Sequence, residues 1–193
     1  MKTLILLGNT RSKSNTEALA GLFSDELTAK GAEVSMVTLR DKDLKTCVGC
    51  GKCHSINDSY GCVIDDYMQE IAAKILESDL IVLSSPIYSW MPTPPLKAVM
   101  DRIYGFTKYP KDGAQFNLMT KQSFAMIATS GDACETNCDL FDDAARRLAA
   151  FAKRPYLGCL TAQDKGEDTV KKQEVIDAAR AFAQKCIDAH RSV

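Results

Sequence analysis

The chain reads as an α/β protein built on a doubly wound parallel sheet, and three observations predict it. Apolar runs of strand length, each bounded by turn residues, fall at Thr3 to Leu7, Val34 to Leu39, Leu80 to Ser84, Phe124 to Thr129 and Pro155 to Thr161. Helix-length amphipathic stretches alternate with them, at Asn15 to Lys30, Asp66 to Glu77, Pro95 to Tyr104, Glu135 to Lys153 and Asp168 to His190. The strands are apolar throughout, as expected where crossover helices cover both faces of a parallel sheet. In such a sheet a ligand sits at the carboxyl ends of the strands, so the loops after the strands are the places to search.

Composition narrows the classes of function. The 193 residues are 46% hydrophobic and 25% charged, ordinary values for a globular chain and enough for one domain spanning 1–193. The formal net charge is -1 with both signs scattered, which offers no basic stripe for nucleic acid and no polybasic membrane anchor. No stretch approaches the roughly 20 apolar residues of a membrane span. Eight cysteines without an export signal point to a reducing, cytoplasmic setting in which thiols serve metal or redox chemistry.

The first apolar run is stopped by Gly8 and is too short for the core of a signal peptide. The loop that follows, Gly8-Asn9-Thr10-Arg11-Ser12-Lys13-Ser14-Asn15-Thr16, leads straight into a helix. Unpaired N–H groups and partial positive charge at a helix start, with hydroxyl and amide donors and Arg11 beside them, suit a phosphate monoester; an ordinary capped helix is the alternative. The lysine-bearing phosphate loop of nucleotide triphosphatases and the Gly-x-Gly-x-x-Gly fingerprint are both missing.

After the second strand, Arg40 to Asp65 exceeds ordinary connecting length and carries Cys47-x2-Cys50-x2-Cys53-x8-Cys62. Gly49 and Gly51 let the backbone curl so that four sulfurs face one centre. A four-iron cluster, a structural zinc with His54 as substitute ligand, regulatory thiols and thiols without metal are the readings open to this motif.

After the third strand comes Ser84-Ser85-Pro86-Ile87-Tyr88-Ser89-Trp90-Met91-Pro92, a proline-stiffened loop whose aromatic residues either line a flat ring-shaped ligand or pack under a helix. Thr129-Ser130-Gly131-Asp132 after the fourth strand faces the same edge. Cys134 and Cys138 lie one helical turn apart, either as a redox pair or as small residues at a helix start. Cys159 and Cys186 are expected to be buried packing residues, and His190 a solvated one. Residues 105 to 122 form a second long connection.

Gly8 to Thr16, Cys47 to Asp66 with its acidic pair Asp65-Asp66, and Ser85-Pro86-Ile87-Tyr88 followed by Leu96 to Arg102 together resemble the NADPH-dependent FMN reductase and iron-sulfur flavoprotein families, over roughly the first hundred residues. The last cysteine gap is slightly longer than the usual spacing in those families. The resemblance implies a flavodoxin-like three-layer fold with five strands in the order 2-1-3-4-5, non-covalently bound FMN, and a homodimer or homotetramer. By matching position it assigns Thr10, Arg11, Ser14, Asn15 and Thr16 to the phosphate. It assigns Pro86, Ile87, Tyr88, Ser89, Trp90 and Met91 to the isoalloxazine ring, and Thr129, Ser130, Gly131 and Asp132 to its other flank. It makes Cys47, Cys50, Cys53 and Cys62 the ligands of a [4Fe-4S] cluster. The implied activity passes electrons from NAD(P)H or a ferredoxin-like donor to a small acceptor such as a quinone or flavin, with flavin N5 as the reactive centre and no side-chain acid or base assigned. A non-enzymatic carrier or thiol sensor, and an empty fold that binds metal only, are the competing functions.

Overall fold

A computed structural model describes residues 1–166 and 168–192. Strands β1 (Lys2–Leu7), β2 (Glu33–Thr38), β3 (Leu80–Tyr88), β7 (Ser123–Ser130) and β8 (Tyr156–Gln163) form a parallel sheet in the order β2-β1-β3-β7-β8. Counting these five strands along the chain, this is the expected 2-1-3-4-5 order. Two short antiparallel pairs complete the strands: β4 (Met91–Pro92) returns along β3, and β5 (Thr107–Lys108) pairs with β6 (Phe116–Asn117).

Strand β1 shows why the sheet is buried on both faces. Its side chains alternate: Leu4 and Leu6 enter one core with Met68, Ile71, Val99 and Phe141, while Ile5 and Leu7 enter the other with Leu19, Phe23, Phe182 and Ile187. The first core is closed by α2 (Met68–Glu77), α3 (Pro94–Ile103) and α5 (Asp139–Phe151), the second by α1 (Asn15–Ala29) and α6 (Gln173–Arg191). All of these side chains are at least nine-tenths buried, each contributing roughly 1.5–3 kcal/mol by leaving water.

Local chemistry sets the helix ends. Ser14 caps α1, its Oγ accepting the Glu17 N–H at 3.2 Å, while Gly31 at φ +84° turns the chain out at the other end. Prolines occupy the first positions of α3, where their missing N–H costs nothing. The second helix starts at Met68, two residues later than expected, because the Asp66 carboxylate accepts the Met68 N–H at 3.1 Å.

Three other expectations need correction. Strand β3 continues past Ser84 to Tyr88, with Pro86 opposite Thr129 at the end of the β7 ladder, so the anticipated loop is a hairpin with Ser89 and Trp90 at its tip. The stretch Glu135 to Lys153 is two helices, α4 (Cys134–Asn137) and α5, which meet at Cys138. Asp168 to His190 likewise divides into a 3-10 turn at Thr169–Lys171 and α6. No helix among the described residues is long and apolar enough to cross a membrane.

Candidate functional site

The end of β3 and the loops after β1, β7 and β8 meet at the carboxyl edge of the sheet around a cleft of about 180 Å³. Of the residues singled out in the sequence, Thr10, Arg11, Ser14, Asn15, Thr16, Pro86, Ile87, Tyr88, Thr129, Ser130 and Gly131 line it. A larger cavity of about 540 Å³ adjoins it on the outer side of the first loop and shares Arg11, Ser14, Asn15 and Asp164 with it. Ser89, Trp90, Met91 and Asp132 do not line the cleft. Trp90 stands at the hairpin tip, 53% exposed, and Ser89 and Trp90 have φ of +48° and +64°. Two successive left-handed residues match the twist of a two-residue hairpin, but they strain side chains that carry a Cβ.

Hydrogen bonds tie the lining together. Thr10 Oγ1 lies 2.8 Å from the Tyr88 hydroxyl, and Thr16 Oγ1 lies 2.6 Å from Thr129 Oγ1 in a buried contact. Asn15 Nδ2 donates to Asp164 Oδ1 at 2.7 Å and to the Gly166 carbonyl at 2.8 Å. Below, the Gly8 N–H donates to the Ser84 carbonyl at 2.7 Å and Thr93 Oγ1 to the Gly8 carbonyl at 2.5 Å. A Cβ on Gly8 would come within 2.8 Å of Leu96 Cβ and Thr93 Oγ1, so a residue without one is needed to seat the loop. At the opposite wall a Cβ on Gly131 would meet nothing within 4 Å, leaving open space in the cleft.

Sequence reasoning missed Asn9 and Asp164 as lining residues. Asn9 Nδ2 donates to the Arg11 carbonyl at 2.6 Å and holds the loop in its curve. Asp164 belongs to the loop after the last strand, which the strand-end rule points to as directly as it does to the others.

The cleft fits FMN in its chemistry. Exposed Arg11 and the start of the 15-residue helix α1 suit a phosphate, and the apolar and aromatic wall of Pro86, Ile87 and Tyr88 suits a flat ring.

The cysteine loop lies apart from the cleft lining. Cys47 and Cys50 are exposed, and Cys53 and Cys62 are partly buried. Gly49 and Gly51, at φ +65° and +69°, make the turns between them. Two buried cations lie beneath. Arg102, on α3, donates to Asp66 Oδ2 at 2.5 Å, to the Lys45 carbonyl at 3.1 Å and to Cys62 Sγ at 3.3 Å. Lys108 Nζ, on β5, donates to the carbonyls of Cys53 and Tyr60 at 2.8 and 3.0 Å. Burial would raise the Asp66 carboxyl, but the Arg102 hydrogen bond and the Lys45 and Met68 N–H groups outweigh it and hold it below the usual carboxylate range. Burial, and then the neighbouring Cys62, push the Cys53 thiol up, with Lys108 opposing them. His54 Nδ1 is 2.8 Å from the Thr107 carbonyl, and its ring packs edge-on against Tyr104 and Tyr109.

Four thiols over two buried cations suit an anionic thiolate-bound group in their chemistry. Among the described residues, however, no three His, Cys, Asp or Glu side chains are grouped to hold a metal ion.

Sheet order, helix layers and a cleft at the strand ends define a flavodoxin-like α/β protein. Residues 1–158 match the family model of NADPH-dependent FMN reductase, and the chain belongs to that family. Among curated proteins it is similar to an iron-sulfur flavoprotein of Methanocaldococcus jannaschii, 34% identical over 102 residues that cover 53% of this chain and 51% of the relative. It is also similar to one of Archaeoglobus fulgidus, 32% identical over 110 residues, 57% of this chain and 49% of the relative. The chain thus spans about half the length of these relatives. Among solved structures, the NAD(P)H:quinone oxidoreductase of Methanothermobacter marburgensis superposes with a TM-score of 0.70 at 16% identity, covering 95% of this chain and 98% of that one. An FMN-dependent NADH-azoreductase of Bacillus anthracis in complex with FMN superposes with a TM-score of 0.65 at 17% identity, covering 98% and 100%. These likenesses in fold cover 95% and 98% of this chain.

Proposed function

We propose that residues 1–193 act as one FMN-binding domain that passes electrons from NAD(P)H or a ferredoxin-like protein to a small acceptor, a quinone or a flavin. The observation that carries this reading is the meeting of the loops after β1 and β7 with the end of β3 on one cleft in a chain of the FMN reductase family. Bound FMN supplies hydride and single-electron chemistry; the chain binds, orients and shields it. Arg11 neutralises the phosphate, and Ser14, Asn15 and Thr16 donate to it or fix the loop that does. Pro86, Ile87 and Tyr88 lie along the ring. Ser89, Trp90 and Met91 rim it from the hairpin, with Gly131 and Asp132 at the other flank. The exposed Tyr88 and Trp90 give this rim an apolar surface on which a second copy of the chain closes a homodimer.

The four cysteines Cys47, Cys50, Cys53 and Cys62 take a four-iron cluster in this reading, supported by the similarity to iron-sulfur flavoproteins and by the cations Arg102 and Lys108 placed under the loop. Zinc on the same thiols is the competing occupant. Anaerobic purification, followed by a visible spectrum and assays of iron, acid-labile sulfide and zinc on one sample, tests both cofactors. Flavin bands with about four irons per chain are expected, together with steady NAD(P)H oxidation when a quinone is added. Flavin without turnover on any donor turns the assignment to a carrier, and absence of flavin refutes it.

A further inference from the structure

Three thiols outside the cleft and the cysteine loop face one shallow depression of about 220 Å³ between α4, the start of α5 and the edge strand β8. Cys134 opens the single-turn helix α4, and the Cys138 N–H donates to the Cys134 carbonyl at 2.9 Å. One helical turn therefore separates the two side chains, which lie on the same face. Cys134 is partly exposed, whereas Cys138 is 3% exposed, so a solute reaches the first before the second. Cys159, expected from the sequence to be buried, is exposed across the depression because β8 is an edge strand.

The surroundings set the three sulfurs apart. Contact with the neighbouring Cys138, with Ser130 and Thr161, outweighs burial and lowers the Cys134 thiol to about 6. The same contact, with burial, pushes Cys138 up. Burial and the Asp142 carboxylate raise Cys159 to about 11. The pair is thus asymmetric, with Cys134, the more exposed sulfur, lowered and buried Cys138 raised. Ser130 joins the depression to the flavin cleft: it lines the cleft, and its Oγ is 3.8 Å from Cys134 Sγ.

We propose that Cys134 and Cys138 form a peroxide-reducing dithiol, with Cys134 as the nucleophile and Cys138 as the resolving thiol. In the first step the Cys134 thiolate attacks one oxygen of a hydroperoxide. The S–O bond forms, the O–O bond breaks, and the leaving oxygen takes a proton and departs as water or an alcohol. Cys134 is oxidised to a sulfenic acid, and the peroxide receives two electrons. In the second step the Cys138 sulfur attacks the sulfenic sulfur, and the hydroxyl leaves with the Cys138 proton as water. Bringing the two Cβ atoms to the roughly 3.5–4.5 Å of a disulfide draws on the break at Cys138, where φ -97° and ψ -9° separate α4 from α5. A small dithiol returns both thiols by exchange and leaves as its own disulfide.

The test uses the whole reduced protein, with hydrogen peroxide as oxidant, dithiothreitol as reductant, and peptide mapping after alkylation so that every cysteine is read separately. One equivalent of peroxide is expected to remove the Cys134 and Cys138 thiols together as a linked peptide that dithiothreitol restores. In Cys138→Ser the same dose leaves a sulfenic acid on Cys134 that dimedone traps. A measurement on the unmodified chain guards against a folding defect in that variant: limited iodoacetamide at pH 7 should label Cys134 at least about tenfold faster than Cys159. Labelling of Cys134 no faster than Cys159, or peroxide consumption that leaves Cys134 and Cys138 reduced, overturns the proposal.

Discussion

At the strand ends, side chains hold one another: Thr10 is paired with Tyr88, Thr16 with Thr129, and Asn15 with Asp164. Residues 47 to 62 are in no helix or strand apart from the turn at Lys52–Ser55, and they are anchored from below by Arg102 and Lys108, together with the bonds of His54 and Tyr60 to the Thr107 and Arg102 carbonyls. The cleft lining is held in shape by its own side-chain hydrogen bonds. The loop is tethered at its base while Cys47 and Cys50 stay open to solvent. Preorganisation lowers the cost of binding, so the cleft suits a ligand held throughout a catalytic cycle, whereas the loop suits a group whose own bonds complete the structure.

The largest test of this contrast is removal of the loop's anchor. Arg102→Ala leaves the Asp66 carboxylate, 0% exposed, without its partner and should lower unfolding stability in urea by about 3–5 kcal/mol. The double variant Arg102→Met with Asp66→Leu should recover much of that loss. Failure to recover would mean that the other bonds of Arg102, to the Lys45 carbonyl and Cys62, carry the anchor.

Arg11→Ala tests the cleft. Because Arg11 is exposed, stability should stay nearly unchanged. Loss of one charged hydrogen bond, roughly 1.5–3 kcal/mol, should weaken FMN about tenfold to a hundredfold while riboflavin binding holds, as read by flavin fluorescence. Equal losses for both ligands would remove Arg11 from the phosphate.

Trp90→Gly separates strain from function at the hairpin tip. Relief of the left-handed backbone should raise the stability of the flavin-free protein by about 1 kcal/mol, while flavin affinity falls. A loss of stability would instead make Trp90 a packing residue.

The smallest effect is expected outside both regions, at Asp79, which accepts from Lys121 Nζ at 2.7 Å and from the Lys2 N–H at 2.8 Å. Burial raises this carboxyl, but those two donors outweigh it and hold it below 3.8. A depressed carboxyl gives stability that is present above its unfolded value and lost as pH falls through the folded one. With Lys121 half exposed, Asp79→Asn should cost under about 1 kcal/mol at pH 7, and the deficit should shrink as pH falls below about 4.

Much of this architecture is legible in the sequence. Runs such as Thr-Leu-Ile-Leu-Leu mark strands buried on both faces, and the strand-end rule directs attention to Thr10–Thr16 and Thr129–Gly131 before any coordinates. The hairpin after Ser84 is not legible, because Ser-Trp is an uncommon pair for a turn that favours Asn-Gly. The 3-10 turn at Tyr104–Phe106 and the β5–β6 hairpin that follows it escape for another reason. Lys108 reads as a surface residue, and only the fold supplies the Cys53 and Tyr60 carbonyls that make its burial tolerable. Cys159 fails in the opposite direction: its apolar run predicts burial, but its place on an edge strand exposes it.

The central claim is that the cleft at the strand ends takes FMN by its phosphate and ring together. Titration of the flavin-free protein with FMN and, separately, with riboflavin, followed by flavin fluorescence, addresses it most directly. Saturation at one FMN per chain, with riboflavin bound at least about tenfold more weakly because it lacks the phosphate, is the predicted result. No saturable FMN binding, or equal affinity for the two flavins, would contradict the assignment.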